Sequence, residues 1–271
     1  MSYKRIEKAL KSLETSNKSL FLAQDQGFEH GPYELDGETA NPDYIFGIAE
    51  KGNVDAFICQ KGLAEMYGES YKTNIMLKVN GKVNPKSELG PEGDPHPAVN
   101  CSVRKAVDIG AKAIGFTNFV GSAYQKEIME EFRDIQEEAH DFGLPVASWI
   151  YPRGKKVKNP NSGENLAYGA RLGQELGADI LKMPFNGNTD DFKEQIRMAG
   201  KSKVVMSGGP KTNSTKEFLQ TVETVNNCGA QGFAIGRNIW QHEDPLSVIK
   251  AIRDIQIDNK DVYTALKRLG E

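Results

Sequence analysis

Short apolar runs alternate with amphipathic helical segments along this chain from residue 20 onward. Eight of the runs are predicted strands, at residues 20–25, 56–60, 75–79, 113–118, 146–151, 180–183, 204–207 and 232–236. Most are continuously apolar, which is typical of parallel strands that are covered on both faces. Eight strand–helix units in 271 residues match the size of a (β/α)8 TIM barrel, so we expect one α/β domain over residues 1–271. An open, doubly wound sheet is the alternative, but no GxGxxG motif follows the first strand.

Helix start and stop signals support the segments between the strands. Asn41-Pro42 places an N-cap residue before a proline at the first helical position, and Gly52 closes that helix. Glycine also supplies the positive φ that ends a helix, and Gly-Ala pairs precede three predicted strands at the same point of the repeat. These pairs are Gly110-Ala111, Gly177-Ala178 and Gly229-Ala230.

Three segments lie outside this repeat. A helix at residues 2–16 is expected to precede the barrel and to cover its lower mouth. A helix at residues 258–271 is expected to cover the barrel or a neighbouring subunit. The loop at residues 81–97 is long and rich in proline, glycine and charge, which predicts a lid or an interface element above strand three.

Composition argues against several classes of protein. The net charge is only -3, so nucleic acid is not an expected partner. No apolar run approaches the roughly 18 residues that a membrane helix needs, and the N-terminus lacks a signal-peptide core. Cys59, Cys101 and Cys228 are widely spaced and only four histidines are present, so neither a disulfide framework nor a metal site is expected. A cytoplasmic protein without a membrane partner is predicted.

Lys182 is the first candidate for chemistry, because it lies near the end of the apolar run Ile180-Leu181-Lys182-Met183. Burial disfavours the charged amine and lowers the lysine pKa toward the neutral, nucleophilic form. A neutral amine in a cleft can attack a ketone or aldehyde and form an iminium, which is Schiff-base chemistry. The alternative is a lysine that extends to the barrel rim and supports a loop.

Other polar residues fall at the carboxyl ends of the predicted strands, which meet at one face of a barrel. Asp25 ends strand one, Lys78 lies near the end of strand three, and Tyr151 near the end of strand five. Trp149 is two residues from Tyr151, so both side chains point the same way. A carboxylate, a phenol and two lysines in one cleft exceed what packing needs, which indicates a functional site.

Strands seven and eight end in glycine-rich turns, Ser207-Gly208-Gly209-Pro210-Lys211 and Gly236-Arg237-Asn238, that are expected to lead into helices. Small residues expose backbone N–H groups, and a helix N-terminus adds partial positive charge, which together suit a phosphate dianion. Arg237 could add a charge-assisted hydrogen bond. The alternative is that the glycines serve only tight turns.

Four pieces of the sequence, in order over roughly residues 20 to 255, resemble the archaeal-type class I fructose-1,6-bisphosphate aldolases. No single piece is specific, but the combination is. The pieces are Gln24-Asp25-Gln26-Gly27-Phe28-Glu29-His30-Gly31-Pro32, Trp149-Ile150-Tyr151-Pro152-Arg153-Gly154, the Lys182 strand, and Ser207-Gly208-Gly209-Pro210 with Gly236-Arg237-Asn238-Ile239-Trp240-Gln241.

The resemblance implies a metal-independent (β/α)8 lyase of glycolysis and gluconeogenesis that forms an iminium with dihydroxyacetone phosphate. It also implies a homo-oligomer, since members of this family form rings, commonly stacked pentamers. By resemblance Lys182 is the Schiff-base lysine, Tyr151 the general acid/base, and Asp25 a group that helps proton transfer during carbinolamine formation. Trp149 would line the site. A substrate phosphate would be held by Ser207, Gly208, Gly209, Gly236 and Arg237.

The sequence departs from the family at Gln26, where a histidine is common. Glutamine can form hydrogen bonds but cannot titrate, so a proton-relay role at this position is in doubt. The residue before it, Asp25, is retained.

Several roles stay open from the sequence. Asp25 could instead be the ion-pair partner of a lysine, and Tyr151 a tyrosine at the edge of the core. A nearby ammonium or iminium is expected to lower the phenol pKa of Tyr151 toward the working range. Lys78 is the rival nucleophile, although contact with phosphate or an effect on the lysine pKa fits it better. Arg153 could meet a second phosphate or brace its loop, and Glu29 and His30 could form the site rim.

Three functions follow from these residues. The first is a lyase on fructose 1,6-bisphosphate. The second is a transferase similar to 2-amino-3,7-dideoxy-D-threo-hept-6-ulosonate synthase, which shares the aspartate, tyrosine and lysine and serves the synthesis of aromatic precursors. The third is a non-catalytic barrel that binds sugar phosphates. Metal-dependent aldolases share the barrel, but the sequence has no histidine-rich ligand set.

Overall fold

The structure, a computed structural model, describes residues 3–84 and 92–270. Eight parallel strands form a closed barrel, in which each strand pairs with the next along the chain and the last pairs with the first. The strands are β1 (Ser19–Ala23), β2 (Ala56–Gln60), β3 (Ile75–Lys78), β4 (Ala113–Val120), β5 (Val146–Pro152), β6 (Ile180–Met183), β7 (Lys203–Ser207) and β8 (Gly232–Ile235). The predicted TIM barrel is confirmed, and the open doubly wound sheet is wrong because β1 and β8 close the circle.

Helices cover the outside of the barrel. They are α1 (Lys4–Lys11), α2 (Gln26–His30), α3 (Pro42–Lys51), α4 (Lys61–Tyr67), α5 (Val103–Asp108), α6 (Gln125–Phe142), α7 (Gly163–Glu175), α8 (Thr189–Ala199), α9 (Thr215–Asn227), α10 (Arg237–Trp240), α11 (Pro245–Gln256) and α12 (Val262–Leu266). Short 3-10 turns follow at Pro32–Glu34, Gly37–Ala40, Gly68–Ser70 and Lys267–Leu269. Within the described residues, no helix is long and apolar enough to cross a membrane.

Local sequence signals set these boundaries. The Asn41 side chain accepts a hydrogen bond from the N–H of Asp43, so it caps α3 as expected. Gly110, Gly177 and Gly229 all have positive φ, between 82° and 96°, and each ends a helical segment before the next strand. The predicted role of these Gly-Ala pairs is confirmed.

Two apolar layers hold the barrel. The outer layer lies between strands and helices, and the inner layer fills the barrel with inward-facing side chains that include Trp149 of β5. From α1 and the segment after it, Ile6, Leu10 and Leu13 join the inner layer. The amino-terminal helix therefore closes the lower mouth of the barrel, as predicted, although it is shorter than expected.

Two loops differ from the expectation in ways that affect the site. β1 ends at Ala23, so Asp25 lies in the turn that precedes α2 rather than on the strand. After Ser207 the chain forms a loop, and α9 begins only at Thr215. The turn leads into α9 as predicted, but the loop between them keeps the N-terminus of α9 away from the end of β7.

The long loop after β3 is only partly described. Asn80–Gly81 and Ala98–Val99 pair as a two-stranded antiparallel ribbon at its base. Asp94 accepts hydrogen bonds from the N–H of Ala123 and of Lys155, at 2.8 and 2.7 Å, so it links the loops that follow β4 and β5. Residues 85–91 of the predicted lid or interface element lie outside the described residues.

Candidate active site

Lys182 lies on β6 beside Trp149 of β5, since the two residues are partners in the strand register. The lysine side chain is almost fully buried, with 7% of its surface exposed. Its Nζ lies 4.7 Å from the centre of the Trp149 ring. Burial lowers the pKa of Lys182, and the positive charge of Lys78 adds to this effect, while Asp25 opposes it. The side chain therefore has the dry surroundings that the sequence predicted.

A second lysine, Lys78, lies near the same Trp149 ring. Lys78 is fully buried, with its Nζ 5.5 Å from the Trp149 ring centre. It forms an ion pair of 2.7 Å with Glu29 and donates a hydrogen bond of 2.7 Å to the carbonyl oxygen of Asn80. Lys78 therefore acts on the site as a buried positive charge. Its position does not support the expected contact with a substrate phosphate.

Asp25 is buried near both lysines. Burial by itself would raise its carboxyl pKa, but the positive charges of Lys182 and Lys78 and a backbone hydrogen bond outweigh that effect. The pKa of Asp25 is therefore held below its ordinary value, and the group is ionised at neutral pH. Lys78 forms its ion pair with Glu29, and the charge of Asp25 acts on both lysines.

Tyr151 lies on β5 above Trp149. Burial raises the pKa of its phenol, and the carboxylates of Asp25 and Glu29 raise it further. Arg153, whose guanidinium lies 5.5 Å from the centre of the Tyr151 ring, acts in the opposite direction but is outweighed. The expectation of a lowered phenol pKa is wrong for the free site, because burial and two negative charges dominate.

These side chains surround one cavity of about 490 Å³ at the carboxyl ends of the strands. Nine of the eleven predicted site residues line it, namely Asp25, Trp149, Tyr151, Arg153, Lys182, Ser207, Gly208, Gly209 and Arg237. Glu29 and His30 line it as well, so they form part of the wall. The other two predicted residues, Lys78 and Gly236, lie behind the wall.

The loop after β7 forms one side of the cavity. The N–H of Gly208 donates to the carbonyl oxygen of Ala234 at 3.0 Å, so it extends the sheet and is not free for a ligand. Gly209 has φ of +62°, and no atom lies within 4 Å of the position that a Cβ would take. Among the described residues, nothing accepts a hydrogen bond from the Gly209 N–H. Gly209 therefore lines the cavity with a backbone N–H that has no protein partner among the described residues.

Arg237 follows β8, the strand next to β7, and lines the cavity beside this loop, but it already has a partner. Its Nη1 donates to Oε1 of Glu34 at 2.6 Å, and Gln241 holds the same loop through the carbonyl oxygen of Glu34 at 3.0 Å. Gly236 serves packing, because a Cβ there would lie 2.7 Å from the carbonyl oxygen of Ala23. The α10 helix that follows has only four residues.

The sequence did not single out two further residues of the site. Lys82 lines the cavity, and its Nζ lies 5.8 Å from the centre of the Phe119 ring. Burial lowers the pKa of Lys82. Glu34 could not be found from the sequence, because it joins the site only through its ion pair with Arg237, some 200 positions further along the chain. The one signal in the sequence for Lys82 was its charge at the start of the long loop after β3, directly after Gly81.

A lysine freed of solvent at the carboxyl end of a parallel barrel, next to a carboxylate and a phenol, defines a barrel that forms Schiff bases. Within residues 3–84 and 92–270 no group of three His, Cys, Asp or Glu side chains is placed to hold a metal ion. Residues 19–242 match the model of the DeoC/LacD family of aldolases. The chain belongs to this family, which confirms the resemblance seen in the sequence.

Known relatives cover nearly the whole chain. The class 1 fructose-bisphosphate aldolase of Halobacterium salinarum is 42% identical over 256 residues, which are 93% of this chain and 95% of that protein. The corresponding enzyme of Thermoproteus tenax is 40% identical over 262 residues, with 96% and 97% covered. A solved archaeal fructose-1,6-bisphosphate aldolase, whose catalytic lysine is covalently bound to the carbinolamine intermediate, has a TM-score of 0.87 at 39% identity, and 93% of this chain and 98% of that chain are covered.

Proposed function

We propose that this chain is a class I aldolase that reversibly cleaves fructose 1,6-bisphosphate into dihydroxyacetone phosphate and glyceraldehyde 3-phosphate. The observation that carries the proposal is the buried Lys182, with its lowered pKa, in one cavity with Asp25 and Tyr151. Relatives with the same named activity cover over nine-tenths of the chain.

The reaction begins when the neutral amine of Lys182 attacks C2 of the open-chain ketose and forms a carbinolamine. Loss of water gives an iminium, which then accepts the electron pair of the breaking C3–C4 bond. The proton of the C4 hydroxyl leaves as the aldehyde forms, and glyceraldehyde 3-phosphate departs. Protonation of the remaining enamine at C3 and addition of water release dihydroxyacetone phosphate and regenerate the amine. No electron donor or acceptor is consumed.

Proton transfer in these steps falls to Asp25 and Tyr151. Asp25 is ionised, so its carboxylate can accept the proton that the amine loses as the carbinolamine forms and return it to the hydroxyl that leaves as water. Tyr151 is a neutral phenol in the free site, so it suits donation to the enamine. Once the iminium adds a positive charge, the same phenol becomes easier to deprotonate and can take the C4 hydroxyl proton.

The two sides of the cavity suit the two phosphates of such a substrate. We assign one phosphate to the loop of Ser207, Gly208 and Gly209 together with Arg237, in which Gly209 offers its free N–H, while the side chain of Ser207 hydrogen-bonds to Tyr151 in the free site. We assign the other to the side that carries Arg153 and Lys82. Trp149 forms the floor under Lys182.

The wider setting is proposed on the same basis. The reaction is expected to need no metal, since the covalent lysine supplies the electron sink. The three unpaired cysteines support a reducing, cytoplasmic location. A homo-oligomer and a single domain over residues 1–271 remain predictions.

Reductive trapping tests this function. Borohydride added together with dihydroxyacetone phosphate should leave a stable adduct on Lys182, located by peptide mass spectrometry. Lys182→Arg keeps the charge but cannot form the iminium, so it should give no adduct, whereas Lys18→Met, at the opposite end of the barrel, should react like the wild type. An unmodified Lys182 would eliminate both enzyme functions and leave a binding barrel.

A second assay separates the lyase from the transferase. The purified protein should release triose phosphates from fructose 1,6-bisphosphate, and EDTA should not reduce the rate. Trapping on Lys182 without any turnover of this substrate would favour the transferase instead.

A further inference from the structure

The side chain of Asn238 holds the loop that follows β7. Its carboxamide nitrogen donates to the carbonyl oxygens of Gly208 and Pro210, at 3.1 and 3.0 Å. Its oxygen accepts from the N–H of Thr212 at 2.9 Å and lies 3.1 Å from the Thr212 hydroxyl, whose single hydrogen it shares with the carbonyl oxygen of Ser214. A carboxamide has two donors and two acceptor sites, and here all four serve the segment 208–212.

Asn238 lies behind the wall of the large cavity. It is buried, with 6% of its surface exposed, and it lines a separate cavity of about 330 Å³ on the far side of the loop. It directly follows Arg237 in the chain, so the residue that faces the cavity and the residue that holds the loop are neighbours on α10.

The loop has few other supports. The N–H of Gly208 donates to Ala234 on β8, and Nζ of Lys211 donates to the carbonyl oxygen of Gln241 at 2.7 Å. Both supports, like Asn238, belong to β8 or to the segment after it. The chain after β7 is therefore fixed to the chain after β8, and the two sides of this wall form one unit.

We propose that Asn238 is a positioning residue, which fixes the backbone around Gly209 so that a substrate phosphate meets preorganised donors. The inference rests on the proposed function of the cavity as a sugar-phosphate site. Asn238 does not touch the substrate. Its effect reaches the phosphate through the carbonyl groups of Gly208 and Pro210, which lie on either side of the N–H donor at Gly209. Gly209 itself has a positive φ, so it belongs to no regular strand or helix that would fix its backbone.

This arrangement separates the contribution of the phosphate contacts from the intrinsic reactivity of Lys182 with a ketone. Loss of the carboxamide removes the partner of the Gly208 and Pro210 carbonyl groups and of the Thr212 N–H, while the Thr212 hydroxyl keeps the carbonyl oxygen of Ser214, so the loop loses most of what fixes it. Misplacement by about 1 Å can reduce a rate by about 100-fold when binding positions the reacting groups. Lys182, on β6, keeps its environment, so its intrinsic reaction with a ketone should not change.

The test compares two ketones that differ only in the phosphate. Trapping of Lys182 by borohydride is followed with dihydroxyacetone phosphate and with dihydroxyacetone, and the ratio of the two second-order rate constants measures what the phosphate contributes. Asn238→Ala should lower the rate with dihydroxyacetone phosphate about 10- to 100-fold and change the rate with dihydroxyacetone less than about twofold. The ratio should fall accordingly.

Three further variants extend the comparison. Thr212→Val removes the hydroxyl bond to Asn238 but keeps the N–H bond, so its ratio should fall between wild type and Asn238→Ala. Asn74 at the lower end of the barrel also donates to two carbonyl oxygens, those of Ser12 and Asp55, and Asn74→Ala should keep the wild-type ratio. Asn238→Asp keeps the shape and the acceptor oxygens, so it provides a folded variant without the two donors, and its ratio should fall as well.

Protection by inorganic phosphate measures how tightly the site binds a phosphate group that carries no ketone. It should protect wild-type Lys182 from trapping, and the concentration that gives half protection should rise at least about tenfold in Asn238→Ala and Asn238→Asp, in line with the loss of a preorganised donor set.

The outcomes separate the two proposals. A wild-type protein that prefers dihydroxyacetone phosphate, together with an unchanged ratio in both Asn238 variants, would overturn the role of Asn238 and leave the function intact. Equal losses with both ketones would also overturn it, because they would show a general structural role. If wild-type Lys182 reacts with neither ketone, the proposed function fails and this inference fails with it.

Discussion

Replacement of Lys78 by methionine tests the electrostatics of the site. Lys78 is buried and carries a positive charge that lowers the pKa of Lys182. Without this charge the ammonium form of Lys182 is less unfavourable, so its pKa should rise. Glu29, which loses its partner, favours the ammonium form as well and therefore acts in the same direction. Less of the neutral amine would then be present at a given pH.

The size of the effect follows from two distances. The Nζ atoms of Lys78 and Lys182 lie 5.5 and 4.7 Å from the centre of the same Trp149 ring, so they are no more than about 10 Å apart. At an effective dielectric constant of about 20, two unit charges at about 10 Å interact by about 1.6 kcal/mol. Because about 1.4 kcal/mol corresponds to one pH unit, the titration midpoint of Lys182 should move upward by about one unit.

The pH dependence of kcat/KM measures this shift, since it reports the ionisation of the free enzyme. For Lys78→Met the acidic limb of the profile for fructose 1,6-bisphosphate cleavage should move to higher pH by about one unit. Lys18→Met is the matched control, because this half-buried lysine donates to Asn226 and Ala230 at the lower end of the barrel. An acidic limb that stays in place or moves to lower pH in Lys78→Met would refute the reasoning.

Two other variants test separate parts of the molecule. Tyr151→Phe should lower kcat by about 100- to 10,000-fold, as expected for the loss of a general acid/base. Lys182 of this variant should still be trapped with dihydroxyacetone phosphate. A loss of trapping as large as the loss of kcat would contradict this role. Asp179→Ala should lower the free energy of unfolding, measured by urea titration, by about 2–4 kcal/mol. The reason is that the buried carboxylate of Asp179 accepts hydrogen bonds from Tyr3, His140 and the N–H of Val146 at 2.7–2.9 Å. Trapping by this variant under native conditions should match the wild type, and an unchanged unfolding midpoint would show that these bonds contribute little.

The fold could be predicted from the sequence because its signals are local and repeated. Apolar runs such as 113–118 lie between helix end signals such as Gly110, and eight such units leave little choice of architecture. The same pattern predicts that residues at the carboxyl ends of the strands meet. Asp25, Tyr151 and Lys182 were found in this way, although β1 ends before Asp25.

The details of the wall could not be predicted, because they depend on contacts between distant segments. Nothing near Arg237 in the sequence indicates that Glu34 binds it. The glycine motif after β7 predicts free N–H groups, yet the N–H of Gly208 is used by the sheet, and only the position of Ala234 in the folded barrel reveals this. Lys78 was correctly placed near the site, but the depth of its side chain depends on Trp149 and on Glu29.

The pKa of Tyr151 shows how one environment changes two groups in opposite directions. A lysine is charged when protonated and a phenol is charged when deprotonated, so the same burial lowers the first pKa and raises the second. The expectation that an ammonium would lower the phenol pKa assumed a charge on Lys182 that burial makes unfavourable. In the free site burial therefore shifts both groups toward their neutral forms, which are the amine that attacks and the phenol that donates. The positive charge that can ionise the phenol is created only by the reaction itself, when the amine becomes an iminium.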